Sequence, residues 1–180
     1  MNRSALLPQL ENYTSAYSEE NVFKNQFIEL LQHPDAFQRT HLPGHITGSA
    51  WIVDASKKMA LLIHHAKLNR WLQPGGHADG DENVLRVALR EAEEETGVKN
   101  FEILKEGIFD LDIHPIPNRK DFPEHLHYDI RYLVQADTVD ELILSDESLN
   151  VGWISFDTIS SWTDNNPSIN RMVEKVKLLF

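Results

Sequence analysis

Three glutamates, Glu91, Glu94 and Glu95, are the residues of this chain whose types and spacing most directly indicate chemistry. Positions i, i+3 and i+4 of a helix share one face, so the three carboxylates converge within one turn. Like charges this close destabilise a helix unless a cation lies among them. Hard divalent cations such as Mg²⁺ prefer carboxylate oxygens. The spacing therefore predicts a helix that binds a divalent metal ion.

This helix must be positioned by the residues on either side of it. Pro74-Gly75-Gly76 predicts a glycine-rich turn whose backbone can approach a ligand closely. The helix is expected to start near Asp81, as its N-cap, and to stop at Gly97 in a left-handed conformation. Its expected buried residues are Leu85, Ala88, Leu89 and Ala92. They lie roughly 110° around the helix from the glutamates, which leaves the carboxylates free to face a cleft.

Residues 76–98 resemble the Nudix box, which is written G-x5-E-x7-R-E-U-x-E-E-x-G-U with U apolar. The defined positions are filled by Gly76, Glu82, Arg90, Glu91, Ala92, Glu94, Glu95, Gly97 and Val98. The one departure is Ala92, which is small for an apolar position. The chain is therefore identified as a member of the Nudix hydrolase superfamily. Its W-x-Q-P-G-G-H segment at residues 71–77 resembles a subgroup to which no substrate can be attached.

The resemblance implies metal-dependent hydrolysis of a pyrophosphate bond, with Mg²⁺ or Mn²⁺ as the cofactor. It makes Glu91, Glu94 and Glu95 the metal ligands, and the carbonyl of Gly76 a possible further one. Arg90 resembles the family arginine that forms ion pairs with the box glutamates and fixes their orientation. The expected substrate is a nucleoside diphosphate linked to another moiety, of the nucleotide-sugar or ADP-ribose type, or a nucleoside triphosphate. The alternative function is a non-catalytic regulator that binds a nucleotide metabolite.

Further candidates lie around the box. Glu147 is in a loop where some family members carry the general base; it is otherwise a surface glutamate, and a box glutamate is then the base. Lys67 and Arg70 either bind phosphate or are ordinary loop cations. His77 either contacts the substrate or metal-bound water, or hydrogen-bonds to backbone. Glu82 either reaches the metal ions through water or favours the helix dipole.

A polar row is predicted from two strands near 102–114 and 125–136. Side chains alternate between the faces of a strand, so one face carries Asp110, Asp112, His114, His125, His127, Asp129 and Arg131. A hairpin around the loop at 115–124 would pair Asp112 with His127 and Asp110 with Asp129. The row is interpreted as a solvated sheet face, as a substrate-binding wall that includes Asp112 and His127, or as a separate histidine-rich transition-metal site.

The remaining pattern predicts an α/β fold in two parts. Residues 1–43 form an N-terminal helical extension, with a second helix starting at Ser18 as N-cap and ending at His33-Pro34. The extension is a packing appendage or dimer surface, or else a lid or substrate-selecting arm. Residues 44–180 form the hydrolase domain, for which the resemblance implies a Nudix α/β/α sandwich with a mixed sheet. Asn166-Pro167 is expected to open its last helix.

The composition of the chain restricts which kinds of binding partner are expected. The net charge of −11 argues against a polymeric nucleic acid but permits a small phosphorylated substrate, because a bound metal ion inverts the local field. The absence of cysteine excludes disulfides and thiolate metal sites, and is compatible with a cytoplasmic location. No apolar run approaches about 18 residues, so no membrane partner is expected. A homodimer is possible. Trp153 is expected in the core, whereas Trp51, Trp71 and Phe122 could stack on a base or pack.

Overall fold

The computed structural model describes residues 3–118 and 122–180, and in these residues five helices and eight strands are found. The helices are α1 Arg3–Asn12, α2 Ser18–Leu30, α3 Val84–Thr96, α4 Ile159–Trp162 and α5 Pro167–Leu179. The strands are β1 Gly44–Val53, β2 Met59–His65, β3 Arg70–Leu72, β4 Gly75–His77, β5 Glu102–Ile103, β6 Asp110–Ile116, β7 His125–Gln135 and β8 Ser148–Ser155. No helix in the described residues is long and apolar enough to cross a membrane.

The strands form one sheet in the order β3-β2-β1-β7-β5, with β4 paired to β1, β6 to β7 and β8 to β2. The predicted α/β class is confirmed. The chain divides into two compact units. The first contains Met1–Ser49, Gly76–Ala88 and Glu106–Tyr132, and the second contains Ala50–Gly75, Leu89–Lys105 and Leu133–Phe180. Each has its own hydrophobic core.

The N-terminal helices are part of the core of the first unit. Leu6 and Leu10 of α1 and Phe27 of α2 are fully buried. The carboxylate of Glu20 is also fully buried, where it accepts hydrogen bonds from the hydroxyl of Tyr13 at 2.5 Å and from the backbone N–H of Leu111 in β6 at 3.0 Å. Because a buried carboxylate must be hydrogen-bonded, these contacts attach α2 to the sheet.

The boundaries of α2 differ slightly from the prediction. Tyr17, rather than Ser18, is at the N-cap, and no side chain caps the helix there. Ser15, two residues earlier, instead accepts a hydrogen bond from the backbone N–H of Tyr17. The helix ends at Leu30, before the predicted stop at His33-Pro34.

The hairpin of β6 and β7 has a different register from the predicted one. Asp112 lies opposite Asp129, and His114 lies opposite His127, so the predicted pairing of Asp112 with His127 is wrong by two residues. The reason is that β6 continues through Pro115 to Ile116, which shortens the connecting loop. A shift of two preserves which side chains share a face. Residues 119–121 of the predicted loop lie outside the described residues.

The predicted strand at 102–114 is interrupted. Only Glu102–Ile103 and Asp110–Ile116 are extended, and Gly107, with φ of +76°, lies in the turn between them.

The predicted glycine turn at 74–76 is also wrong, because Gly75–His77 form the short strand β4. The backbone N–H of Ala50 donates to the carbonyl of Pro74 at 3.0 Å, which attaches this segment to β1.

Helix α3 begins two residues later than expected, with its N-cap at position 83 rather than 81. Its N-cap is Asn83, whose Oδ1 accepts from the backbone N–H of Arg86 at 3.2 Å; Asp81 instead accepts from the N–H of Asn83 at 2.9 Å. Gly97 follows the helix with φ of +78°, as predicted. The last helix is also confirmed: Pro167 is in its first turn, and the side chain of Asn166 accepts from Ser168 and Ile169.

Candidate active site

The three box glutamates lie along the second half of α3 and differ in exposure. The side chain of Glu94 is 58% exposed and that of Glu91 is 17% exposed, whereas Glu95 as a residue is only 8% exposed. This order follows from the helix orientation, because Ala92, one position after Glu91, packs in the core of the second unit. The carboxylates thus extend from the protein interior toward solvent.

Glu95 is held by backbone and surrounded by negative charge. Its Oε2 accepts a hydrogen bond from the N–H of Gly75 at 2.9 Å. The pKa of Glu95 is raised from 4.5 to about 8, mainly by burial and also by the charges of Glu91, Glu147 and Glu94, while the Gly75 hydrogen bond opposes the shift. A buried carboxylate beside other carboxylates is suited to a hard divalent cation, which would offset the repulsion. The donor set therefore fits Mg²⁺ or Mn²⁺.

Arg90 is placed to orient two of these glutamates. Its Nη1 lies 2.8 Å from Oε1 of Glu91 and 3.2 Å from Oε2 of Glu94. One guanidinium nitrogen thus contacts both carboxylates, and this restricts the rotamers of both side chains. The contact corresponds to the orienting role that the sequence pattern implies for Arg90.

Glu147 and Lys67 form an ion pair. Nζ of Lys67 lies 3.1 Å from Oε1 of Glu147, and both side chains are more than half exposed. The backbone carbonyl of Glu147 accepts from the N–H of Ala66 at 2.9 Å, which joins the two loops. Since the charge of Glu147 raises the pKa of Glu95, the two carboxylates are close enough to interact. Arg70 is exposed at the start of β3, opposite His65 in the ladder.

Glu82 has a partner that the sequence did not indicate. Its Oε2 accepts from the backbone N–H of Arg3 at 3.0 Å, and its Oε1 lies 3.2 Å from Nε of the same residue. Glu82 precedes α3 and is outside the first turn of that helix. Within the first unit it therefore contacts the N-terminal helix α1, and the proposed dipole role does not describe its position.

Most of the polar row of β6 and β7 is buried, with only His114 and His127 partly exposed, so its interpretation as a solvated face is wrong. Arg131 is 2% exposed and lies 3.0 Å from Asp110, 3.1 Å from Asp112 and 2.8 Å from Asp129. Asp129 also accepts hydrogen bonds from Thr47 at 3.1 Å and Ser49 at 2.8 Å. Asp112, a candidate substrate contact, is thus engaged by Arg131. Its Oδ2 also lies 3.0 Å from Nδ1 of His114.

Four histidines meet in the first unit, on three strands. They are His45 in β1, His77 in β4 and the pair His125 and His127 in β7. One ring nitrogen of each lies within 4.8 Å of one nitrogen of every other. Burial lowers the pKa of His77 to about 4 and that of His127 to about 2, and it also lowers the pKa of His45. The imidazoles of His45, His77 and His127 are therefore neutral near pH 7.

His45 is the functional candidate that sequence reasoning missed. It is one of nine histidines and belongs to no recognisable motif. Its position in a strand pattern directly after Gly44 was the only available signal, and that signal does not indicate which other strands lie beside it.

Gly76, proposed as a carbonyl ligand, lies in β4 between Gly75, which contacts Glu95, and His77 of the histidine cluster.

The aromatic residues that were considered for base stacking or core packing differ in how deeply they are buried. Trp51 is fully buried and stacks on Phe156, so it packs in the core. Trp71 stacks on His64 at a centroid distance of 5.2 Å. Phe122 lies edge-on to His125 at 4.8 Å. Trp153 is partly buried against the core of the second unit.

Comparison with known proteins assigns the larger part of the chain to a known family. The family model for the NUDIX domain matches residues 44–175. A probable DHNTP pyrophosphohydrolase from Lactococcus lactis is 27% identical over 135 residues, which cover 73% of this chain and 78% of that protein. The asymmetrical bis(5′-nucleosyl)-tetraphosphatase of Rattus norvegicus is 32% identical over 95 residues, covering 53% of this chain and 58% of the rat enzyme.

Solved structures show the same fold. A NUDIX-family hydrolase from Clostridium perfringens superimposes with a TM-score of 0.57 at 26% identity. The alignment covers 76% of this chain and 98% of that structure. Residues before position 44 lie outside the matched family model.

Proposed function

The chain belongs to the NUDIX family, and on that premise we propose that it is a metal-dependent hydrolase that splits a phosphoanhydride bond in a small nucleotide derivative. The observation that carries the proposal is the carboxylate face of α3. Glu91, Glu94 and Glu95 lie together there, Arg90 contacts two of them, and the backbone of Gly75 holds the third. Both relatives are named for reactions at a polyphosphate, which supports the bond type.

Glu91, Glu94 and Glu95 are the residues that would hold Mg²⁺ or Mn²⁺. The bound ion would supply Lewis acidity toward the phosphates and would lower the pKa of a bound water molecule. Glu95 must be ionised to act as a ligand, and because burial and its acidic neighbours favour its protonated form, ion binding would be accompanied by proton release. Arg90 keeps Glu91 and Glu94 oriented through their shared ion pairs.

The substrate contacts that we propose in the second unit are Lys67 and Arg70. Both are exposed, and a Lys or Arg side chain can form strong charge-assisted hydrogen bonds with a phosphate. Glu147 is the candidate general base, since its carboxylate is exposed and interacts electrostatically with Glu95. If Glu147 is not the base, a box glutamate takes that role.

The second candidate function is a regulator that binds a nucleotide metabolite without cleaving it. The complete set of box glutamates argues for the enzyme, because binding modules of this fold usually lack some of them. The substrate is a nucleoside diphosphate derivative or a nucleoside triphosphate. Dihydroneopterin triphosphate and dinucleoside tetraphosphates belong in any test because of the relatives' names.

The test is a panel of phosphoanhydrides incubated with the purified chain and Mg²⁺, with release of phosphate and pyrophosphate measured. The panel includes those two compounds, ADP-ribose, nucleotide sugars and nucleoside triphosphates. We expect turnover of at least one compound, and loss of that turnover with EDTA. Glu94→Gln should reduce kcat/KM by at least about 100-fold.

Glu93→Gln is the matched control, because Glu93 is the exposed neighbour of Glu94 on a different side of α3. It should leave turnover unchanged. Equal losses in the two variants would contradict the assignment of the site to this face. Tight binding of one compound without release from any would overturn the enzyme and support the regulator.

A further inference from the structure

The four histidines, His45, His77, His125 and His127, have a geometry that a hydrogen-bonded core does not explain. Their rings contact one another at centroid distances of 4.9 to 5.2 Å in five of the six possible pairs. Each neutral imidazole ring has one lone pair that needs a partner, and one shared cation would satisfy several of these rings at once.

His45 provides the clearest sign of a missing ligand. It is fully buried, and its Nε2 has no hydrogen-bond partner in the described part of the chain. Its Nδ1 lies 3.2 Å from the carbonyl of His41. Because a carbonyl can only accept, Nδ1 carries the proton, and the buried Nε2 is left with a free lone pair. An unsatisfied buried acceptor is costly, so a partner at this position is expected.

His125 has the same tautomer as His45, but its Nε2 is not isolated, because it lies within hydrogen-bonding distance of Nε2 of His127. Its Nδ1 donates to the carbonyl of Pro123 at 2.9 Å, and its Nε2 therefore carries a lone pair. Backbone carbonyls that fix the tautomer and orientation of an imidazole are the usual support of histidines that bind metals. Lone pairs on neighbouring rings of the cluster attract a cation and repel an anion, which argues against a phosphate as the ligand.

One nitrogen–nitrogen distance in the cluster matches the separation of two ligands in a tetrahedral zinc site. Nε2 of His125 and Nε2 of His127 are 3.3 Å apart. Two nitrogens bound at about 2.0–2.1 Å to a tetrahedral zinc ion are separated by about 3.3 Å. The widest nitrogen pair, at no more than 4.8 Å, would close to this value by rotation of side chains.

We propose that His45, His77, His125 and His127 form a zinc site that is separate from the glutamates of α3. The chemistry distinguishes the two: imidazole nitrogens suit zinc and related transition metals, whereas carboxylate oxygens suit Mg²⁺. The four nitrogens come from β1, β4 and β7, so the ion joins three strands of the first unit. Four protein ligands without an open position are typical of a structural site. The site would stabilise the fold rather than carry the reaction.

The experiment uses the full-length chain without a histidine tag, freed of metal with EDTA. Zinc is titrated against a competing chelator in excess Mg²⁺, and the metal content after dialysis is measured by mass spectrometry. We expect about one tightly bound zinc per chain, unaffected by Mg²⁺ and retained in Glu94→Gln. His125→Ala and His127→Ala should each weaken zinc binding at least about 10-fold.

His64→Ala is the matched control, because His64 is a strand histidine that stacks on Trp71 outside the cluster. It should bind zinc as the wild type does. X-ray absorption of zinc in the wild-type protein tests the proposal without any variant, and should show nitrogen neighbours at about 2.0–2.1 Å with the pattern of imidazole rings.

Three outcomes would overturn the zinc site. They are no tight zinc binding by the wild type, equal affinity in the His64 and His127 variants, and an oxygen-only shell in the absorption spectrum. If His127→Ala binds zinc normally and folds normally but turns over substrate poorly, the cluster is instead a substrate-binding wall.

Discussion

Glu95 shows how position within one helix turn changes the chemistry of a side chain. It is the most buried of the three glutamates and accepts a backbone hydrogen bond, whereas Glu94, its neighbour, is largely exposed. The same residue type therefore provides a carboxyl group with a pKa of about 8 at position 95 and an ion-pair partner of Arg90 at position 94.

The raised pKa of Glu95 predicts how stability depends on pH in the metal-free protein. Between pH 4.5 and about 8 the folded chain keeps a proton that the unfolded chain loses. The free energy of unfolding should therefore fall as pH rises through this window, and should level off above it. Glu95→Gln removes the contribution and should flatten the curve.

Urea unfolding in EDTA at several values from about pH 5 to about pH 9 measures this effect. Glu93→Gln, an exposed substitution on the same helix, should retain the wild-type slope. Identical slopes for Glu95→Gln and the wild type would show that the proton is held elsewhere.

Glu147 provides the second prediction at this scale. If it is the general base, Glu147→Gln should lower kcat by about 100-fold or more with little change in KM, because the amide cannot accept the proton. Steady-state kinetics on the compound identified by the panel measure both constants. Asp146→Asn, at the adjacent exposed position, should change neither. A small effect of Glu147→Gln would assign the base to a box glutamate.

At the scale of elements, α3 places its carboxylates through its two ends. Asn83 caps its start, and the left-handed Gly97 turns the chain away directly after Thr96. Glu95 lies in the last turn, so its orientation toward Gly75 depends on this C-terminal end. A Cβ at position 97 would also lie 2.7 Å from Ile143, which is too close for two carbon atoms.

Gly97→Ala should therefore lower the free energy of unfolding by more than about 1 kcal/mol, from the left-handed backbone and the contact with Ile143 together. Gly152→Ala is the control, since a Cβ there meets no atom within 4 Å. Urea unfolding of both variants gives the comparison. Equal stabilities would mean that the backbone near Gly97 adjusts at no cost, and that the position of Glu95 does not depend on it.

At the scale of the whole molecule, the feature that most constrains the first unit is the buried ionic cluster around Arg131. Burial by itself would lower the pKa of Arg131, but Asp112, Asp129 and Asp110 outweigh that effect and raise it above the ordinary value. One guanidinium thus offsets part of the negative charge of three carboxylates from two strands. Asp129 also accepts hydrogen bonds from Thr47 and Ser49 in β1.

Arg131→Met should destabilise the protein by about 3–5 kcal/mol, because it keeps the volume of the side chain but leaves three buried aspartates without a cation. Arg86→Met is the control: Arg86 forms an ion pair with Asp81 on the surface, and a pair of this kind contributes little. Thermal or urea unfolding distinguishes the two. A loss no larger than that of the control would mean that the aspartates become protonated or hydrated without cost.

Several features were predictable because they depend on neighbours in sequence. The helix of the box, the alternation of polar and apolar residues in β6 and β7, and the cap at Asn166 were all predicted from local spacing. The register of the hairpin was not. It depends on how far β6 continues past Pro115, and local alternation is the same for registers that differ by two residues.

The sequence by itself determined the helix that carries Glu91, Glu94 and Glu95, because it is a single local element, and through the resemblance of its register to the Nudix box it also indicated the reaction class. Tertiary structure decided which of these carboxylates is buried, that Glu82 contacts Arg3, and that His45 joins His77, His125 and His127. The physical reason is distance along the chain: residues far apart in sequence meet only when strands pair, and no local periodicity encodes which strands those are.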